Sequence, residues 1–499
     1  MIAARPTPDL ERFKELARPG HLVPVFLSFP FDIDTAVSAF AKLRRAPFGF
    51  LLESVEGGER WARFTFLGSE PREAWKVEED RVSRWTPADG WSEEGRTKDP
   101  FADFQKWVGR HEPVRVEGLP RFWGGAVGYF GYDMVRWLEH LPDPPAPDPA
   151  LPDAWFVATD RMLILDNLLS RAMAVRAVPI PDDGDLEALY RDAVVSLQEW
   201  TRRLERPSGL NPLVLAEEPG AEKELDVESN RTREEFERAV ECVREHIARG
   251  DTYQVVISQR LEAGLPGDTL AVYRALRMLN PSPYLFYLEL EGLRLIGSSP
   301  ESLVRVEEDQ VTVRPIAGTR ARGSGPAEDE ALARELRSDE KERAEHLMLV
   351  DLGRNDVSRV AEAGSVRVPK FMQIERYSHV MHLVSEVVGA LASNRSATDA
   401  LRACFPAGTL TGAPKVRAME IIDELETVRR GPYGGAAGYV AYGGRNLDMA
   451  IIIRTIVGWG KRAYAQAGAG IVHDSIAGHE WEETRNKARV LLRALAQVR

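Results

Sequence analysis

The residues whose types and spacing point most directly to chemistry are two glutamate pairs, Glu342 with Glu345 and Glu480 with Glu483. Apolar residues recur at helical spacing beside each pair, at Met348, Leu349 and Leu352 in one stretch and at Leu491, Leu492 and Leu495 in the other. Both pairs are therefore predicted on helices, and residues three apart leave the same helix face. If the two helices meet, four carboxylates converge, and such a cluster stays ionised only around a counter-charge. Oxygen-only ligands suit a hard cation such as Mg2+. An E-x-x-E spacing alone fits a solvated helix face equally well, so other motifs must decide.

PAGTLTGAPK, residues 406 to 415, offers an anion site. Its small residues let backbone N–H groups approach a ligand, Thr409 and Thr411 add hydroxyls, and the helical pattern that follows places the loop at a helix N-terminus. Its glycines are four apart and no Ser or Thr follows Lys415, so it is not a Walker phosphate loop. PIAGTR, residues 315 to 320, reads as a turn after a strand, with Thr319 exposed. Arg454 stands among branched apolar residues in IIIRTIV and needs a structural carboxylate or an anionic ligand. His382, between Met381 and Leu383, is of a kind more often a hydrogen-bonded core histidine than a catalyst, and His346, beside Glu345, is similarly ambiguous. Neither Cys242 nor Cys404 lies in a nucleophile motif.

Three zones have to position these groups. Residues 1–205 look like short strands with few helices, interrupted by the Pro/Asp loop at 141–153. Residues 206–230, rich in Pro and Glu, read as a linker or loose surface segment. Residues 231–499 open on a capping box, Thr232 with Glu235, followed by Phe236, Val240, Val243 and Ile247 at helical spacing up to Gly250. TYQVVISQR, YLFYLEL, RLIGSSP, QVTVRPIAGT, GGAAGYVAY, LDMAIIIRTIV and AYAQAGAGIV then read as strands with helices grouped between them. That arrangement predicts an α+β fold with a largely antiparallel sheet. GGAVGYF, 124 to 130, and GGAAGYV, 434 to 440, agree at five of seven positions. The echo fits a shared sheet architecture or two unrelated glycine-rich strands.

A hydrophobic content of 44% and a charged content of 28% are those of a globular protein in water. A formal charge of −12 without a Lys/Arg run speaks against nucleic acid as a partner. The most apolar stretch, MAIIIRTIVGW, is too short to span a membrane and is broken by Arg454. Two cysteines and an N-terminus without an apolar signal core lead us to expect a cytoplasmic protein.

Taken together, PIAGTR, ERAEHLMLVDLGRNDVSRV, YSHVMHLVS, FPAGTLTGAPKVRAMEIIDELE, YGGAAGYV, AIIIRTI, AGAGIVHDS and EWEETRNKA resemble the chorismate-utilising enzymes, in that family's order and over residues 230 to 499. The resemblance implies an anthranilate synthase-like fold, large and mostly antiparallel β-sheets packed as a sandwich with helices outside. Zone 1–205 would share that sandwich as a regulatory and structural region, and 231–499 would bind chorismate. The resemblance also implies Mg2+ ligated by Glu345 and Glu483, with Glu342 and Glu480 reaching it through water, the ion holding the ring carboxylate of chorismate. Gly318, Thr319, Tyr433, Arg454 and a GAG turn of Gly468, Ala469 and Gly470 would contact substrate, Arg454 at the enolpyruvyl carboxylate. Thr409 would lie beside the reacting ring, Glu301 in GSSPESL would protonate the departing hydroxyl, and His382 would serve the elimination of pyruvate.

Two positions separate branches of that family. Isochorismate- and salicylate-forming members carry a water-activating lysine where this chain has Gln254, and aminodeoxychorismate synthases carry a lysine where it has Ala317. Both residues resemble the anthranilate-forming branch, in which ammonia adds at ring C2 as the C4 hydroxyl leaves and pyruvate is then eliminated, the first step of tryptophan biosynthesis. LLES and NPSPYLFYLE resemble that branch's feedback site, which implies tryptophan binding by Glu53, Ser54, Pro283, Tyr284 and Leu285. No Cys–His–Glu glutaminase signature occurs in the sequence, so glutamine-derived ammonia implies a separate glutamine amidotransferase (glutaminase) subunit, in a heterotetramer of two of each. The competing readings are aminodeoxychorismate synthase component I, a non-catalytic tryptophan-sensing homologue, and a Mg2+-dependent phosphohydrolase. The last explains the carboxylates but not Gln254 or Ala317.

Overall fold

Strand alternation decides the architecture. Phe50 and Leu51 point to opposite faces of the strand Phe48–Glu53, as do Phe286 and Tyr287 on its neighbour Tyr284–Leu290. Both faces are apolar, so both need cover. The computed structural model describes residues 4–54, 63–215, 225–376 and 380–498. In it a 14-stranded and a 12-stranded sheet pack face to face. The core between them takes Phe50, Phe286 and Leu293 from the first sheet and Phe130, Phe156, Val304 and Met449 from the second. The other face of the first sheet, with Leu51, Tyr287, Ile296 and Ile456, is covered by helices contributing Phe13, Phe40, Leu197, Tyr273, Leu491 and Leu495.

Among the described residues the strand pairings are antiparallel, except that of His21–Pro30 with the two-residue strand Glu112–Pro113. Each sheet joins N-terminal to C-terminal strands at one seam. In the first, Phe48–Glu53 pairs with Tyr284–Leu290, placing Glu53 opposite Leu285. In the second, Gly125–Phe130 pairs with Ala436–Ala441, so the GGAVGYF echo is a pair of neighbouring strands with Gly128 opposite Gly438. A Cβ on Gly128 would lie 2.0 Å from the Trp155 carbonyl oxygen, and one on Gly438 2.1 Å from that of Asp448. The repeated glycines therefore answer to close backbone approach by the strands on either side of the seam, Ala154–Thr159 and Leu447–Ile451.

The helix signals hold at atomic level. Thr232 and Glu235 form the reciprocal capping box of helix Arg233–Arg249, and Gly250 ends it at φ 84°. Glu342 and Glu345 lie on Glu340–Ser358, and Glu480 and Glu483 on Ala477–Ala496. No described helix is long and apolar enough to cross a membrane. Residues 206–215 form no helix or strand, Glu228–Ser229 pairs with Leu261 and Glu262, and 216–224 lie outside the described residues, as do 377–379 of the YSHVMHLVS motif.

Three local expectations are corrected. LDMAIIIRTIV is two strands, Leu447–Ile451 and Thr455–Trp459, broken where Arg454 takes φ 48°. PIAGTR is no turn: it lies in strand Ile316–Ala321, with an irregularity between Ala317 and Thr319 where Gly318 takes φ 62°. The GAG segment is no turn either, because Gly468, Ala469 and Gly470 lie inside strand Arg462–Ile471, paired with Ser258, Ile257 and Val256 respectively.

Candidate active site

Glu301 follows strand Leu293–Ser299, and its carbonyl accepts the Ile451 N–H at 3.0 Å, which fixes its backbone. Its Oε2 accepts a 3.0 Å hydrogen bond from Thr409 Oγ1. Burial raises the pKa of the Glu301 carboxyl, with repulsion from Glu345 added, against the Thr409 bond and the positive charges of Arg454 and Lys487. The balance leaves a carboxyl that keeps its proton longer than an exposed glutamate.

Arg454 is held in a left-handed conformation that costs a non-glycine residue about 1–3 kcal/mol. The Ser298 N–H donates to its carbonyl at 3.1 Å. Its guanidinium faces Glu301, Tyr433 and Glu483, yet it forms no ion pair within 4 Å among the described residues, and burial lowers its pKa. The structural carboxylate that the sequence left open is therefore not there. The geometry suits an anionic ligand.

His382, on strand Val380–Ala390, has its Nδ1 3.3 Å from the Gly318 carbonyl oxygen and 3.0 Å from Thr319 Oγ1. Both contacts hold the Nδ1 edge of the ring; with the hydrogen on Nδ1, facing the Gly318 carbonyl, Nε2 is the basic nitrogen of the neutral ring. A Cβ on Gly318 would meet Glu342 Oε2 at 3.0 Å and Leu336 at 2.7 Å, so glycine is required for space as well as for its φ. His346 is different: its Nε2 lies 2.6 Å from Ser385 Oγ, and burial pushes it down to about 4, a neutral core histidine.

The glutamates approach one another without forming a finished cluster. Glu345 is raised by burial and then by the charge of Glu342, with Glu483 adding to it, and Glu480 is raised by burial and by Glu483. Among the described residues, however, no three acidic, His or Cys side chains are gathered closely enough to hold a metal. Glu342 is held at 3.0 Å by Arg320, and Glu483 at 2.6 Å by Lys487, which also donates to the Gly468 carbonyl at 2.9 Å. The donor set is all oxygen, and its mutual repulsion is what a hard cation would relieve, so residues and ion match in chemistry. Lys487 is a site residue that sequence reasoning missed. Its i,i+4 spacing from Glu483 was the available signal.

Small residues make room for larger ones along the GAG strand. A Cβ on Gly468 would stand 2.9 Å from the Tyr433 hydroxyl, and one on Gly470 2.5 Å from Gln254 Nε2. Gln254 Oε1 is buried and accepts no hydrogen bond among the described residues. The PAGT loop sends only Thr409 towards Glu301, because Thr411 is buried and donates to the Ala407 carbonyl at 3.1 Å. Lys415, at the start of helix Lys415–Leu425, is engaged by Asp356 at 2.8 Å.

Glu53, Ser54, Pro283, Tyr284 and Leu285 also come together, on a separate cavity of about 1250 Å3 between the sheets that touches both seams. Glu53 is buried beneath it, accepting from the Tyr273 hydroxyl at 2.6 Å and from Arg277 at 3.1 Å. Tyr284 donates to Asp448 at 3.1 Å, and Phe122 and Tyr439 stack on the same cavity wall at 3.9 Å. None of Glu301, Thr409, Arg454 or His382 lines it.

A two-sheet sandwich thus carries an arginine, a glutamate of raised pKa and a group of carboxylates. The chorismate binding enzyme family matches residues 55–493, and the chain belongs to that family. Its relatives include anthranilate synthase component 1 of Aquifex aeolicus (strain VF5), 46% identical over 98% of this chain and 97% of the relative. The same enzyme component of Acetivibrio thermocellus is 46% identical over 98% and 99%. The crystal structure of anthranilate synthase component I from Streptococcus pneumoniae TIGR4 superposes with a TM-score of 0.76 at 39% identity, covering 88% of this chain and 95% of that one. A menaquinone-specific isochorismate synthase of Escherichia coli, 20% identical with a TM-score of 0.67, shares the fold.

Proposed function

We propose that this chain is the aminase subunit of anthranilate synthase, converting chorismate and ammonia to anthranilate and pyruvate, with ammonia supplied from glutamine by a glutaminase subunit in the cytoplasm. The observation that carries the reading is Arg454, strained and without an ion pair within 4 Å among the described residues, facing Glu301 with its raised pKa. Arg454 binds the enolpyruvyl carboxylate. Glu301, ordered by Thr409, protonates the C4 oxygen as the C4–O bond breaks and the C2–N bond forms. Gln254 Oε1, lacking a donor, accepts a hydrogen bond from incoming ammonia, a nucleophile that needs no base, and Ala317 offers no lysine for a covalent route. His382 Nε2 then takes the C2 proton as enolpyruvate leaves and becomes pyruvate. Glu345 and Glu483, with Glu342 and Glu480 behind them, would hold Mg2+, which when bound neutralises the ring carboxylate.

The test is the product. Purified chain mixed with chorismate, Mg2+ and an ammonium salt should yield anthranilate and pyruvate together. Release of 4-amino-4-deoxychorismate would assign the chain to the aminodeoxychorismate branch, and no turnover at all would favour a silent sensor.

We also propose that tryptophan inhibits through the inter-sheet cavity. Ser54 meets the amino acid's polar groups, Pro283 and Tyr284 face the indole, and Glu53 orders the seam. A ligand touching both seams can bias how the N-terminal strands sit on the catalytic half, and by reciprocity chorismate must alter its affinity. Ser54→Ala and Tyr284→Ala should weaken inhibition about ten-fold, some 1.4 kcal/mol, with uninhibited turnover unchanged. Fully retained inhibition in both variants would place the regulatory site elsewhere.

A further inference from the structure

Behind the Glu301–Thr409 hydrogen bond lies a second, small cavity of about 50 Å3. Glu301, Thr409 and Asp356 all line it, together with Leu349, Leu352 and Cys404. The helix Glu340–Ser358 explains the arrangement: Glu345, Leu349, Leu352 and Asp356 recur at helical spacing, so one stripe carries a carboxylate towards the substrate and another towards this cavity. The loop is clamped against that stripe. A Cβ on Gly408 would meet Leu352 Cδ1 at 2.9 Å, and Lys415 Nζ holds Asp356 Oδ2 at 2.8 Å with both side chains largely buried.

We propose that this cavity is a proton-return chamber, in which water relays one solvent proton per turnover through Asp356, held by Lys415, to Glu301, so that Asp356 ends each cycle in the protonation state it began in. The inference rests on the reading of Glu301 as the acid of the amination step. In that step the C2–N bond forms, the C4–O bond breaks, and the Glu301 proton leaves with the C4 oxygen as water. The C2 ammonium then sheds one proton to solvent and Glu301 regains one, so the sum is chorismate and ammonia to amino intermediate and water. The cavity lined by Glu301 and Asp356 offers a path that returns this proton without passing the substrate.

The chamber has the size and the partners for the task. A water needs about 10–15 Å3 and two to four polar neighbours, so a few fit between carboxyl, hydroxyl and carboxylate. The charged groups around it are Arg454, Lys487 and Glu345 facing Glu301, Lys415 and Arg359 facing Asp356, and Arg314, which pairs with Glu375 at 2.6 Å. Cys404 is buried and its thiol is raised, so it does not titrate in the working range.

Rapid-quench kinetics with chorismate, Mg2+ and ammonium chloride tests the chamber. Asp356→Asn keeps the shape and an acceptor for Lys415 but removes the titrating group. The first turnover, which uses the proton already on Glu301, should keep its wild-type rate, while steady-state turnover falls about ten-fold and acquires a larger solvent deuterium isotope effect. Gly353→Ala should give the same pattern more weakly. It adds one methyl to the chamber wall, 3.5 Å from Val313 and 3.6 Å from Pro315, within a helix where alanine is favoured, and it decides the matter if the Asn variant fails to fold. A first turnover slowed in step with the steady state would make Asp356 a mere support for the Thr409 loop, and unchanged steady-state rates would dismiss the chamber. Glu301→Gln separates the two readings: if its first turnover runs at full speed, Glu301 is not the acid and the underlying reading fails first.

Discussion

Glu345→Ala and Glu483→Ala should each lower turnover on the order of a hundred-fold or more, because Lewis-acid neutralisation of substrate charge supplies several kcal/mol. Chelation should abolish the wild-type reaction in the same way. The fold should survive, and pH linkage gives the sign. The Glu345 carboxyl has a raised pKa in the folded chain, from burial first and the Glu342 charge next. Such a group favours folding below the ordinary carboxylate range and loses that contribution as pH rises through its raised folded value. At neutral pH and without metal, therefore, Glu345→Ala should melt no lower than wild type. With Mg2+ added, wild type should gain thermal stability and the variant should not. Glu199, exposed on helix Leu186–Arg202, serves as the control. Near-normal turnover in both single variants, or a wild-type melting point indifferent to Mg2+, would remove the carboxylate site from the mechanism.

Glu301→Gln and His382→Ala should divide the reaction between them. The amide cannot give a proton to the C4 oxygen, so Glu301→Gln should cut amination by about 10²–10⁴-fold while chorismate still binds through Arg454. The wild-type contribution from this acid is full below the raised Glu301 pKa and is lost as pH climbs through it, whereas ammonia is freed from ammonium as pH climbs. A bell-shaped profile should result, with its alkaline limb absent from whatever activity the variant keeps. His382→Ala leaves the acid in place and removes the ring whose Nδ1 is oriented by Gly318 and Thr319. The amino intermediate should then accumulate and be seen in quenched samples before pyruvate appears. Parallel loss of both steps in His382→Ala, or an unaltered alkaline limb in Glu301→Gln, would reassign these roles.

What the sequence by itself determined is the local part. Helices Arg233–Arg249, Glu340–Ser358 and Ala477–Ala496 are legible because capping and apolar period depend on residues within a turn or two of one another. The α+β class and the candidate residues follow from strand-like runs and motifs read in order. Tertiary structure decided what depends on distant partners. Phe48–Glu53 finds Tyr284–Leu290 across more than two hundred residues, and the two glycine-rich echoes find each other, pairings that no local signal specifies. The seams in turn created the inter-sheet cavity that gathers LLES and NPSPYL. Arg454 stood out in the sequence as a charge among apolar residues in need of a partner, but only the break between two strands of different sheets turns it to φ 48° and aims it at Glu301. Lys487 on Glu483 and Asp356 behind Thr409 were likewise out of reach, since charge pairing and enclosed volume arise only once helices, loop and sheet are packed.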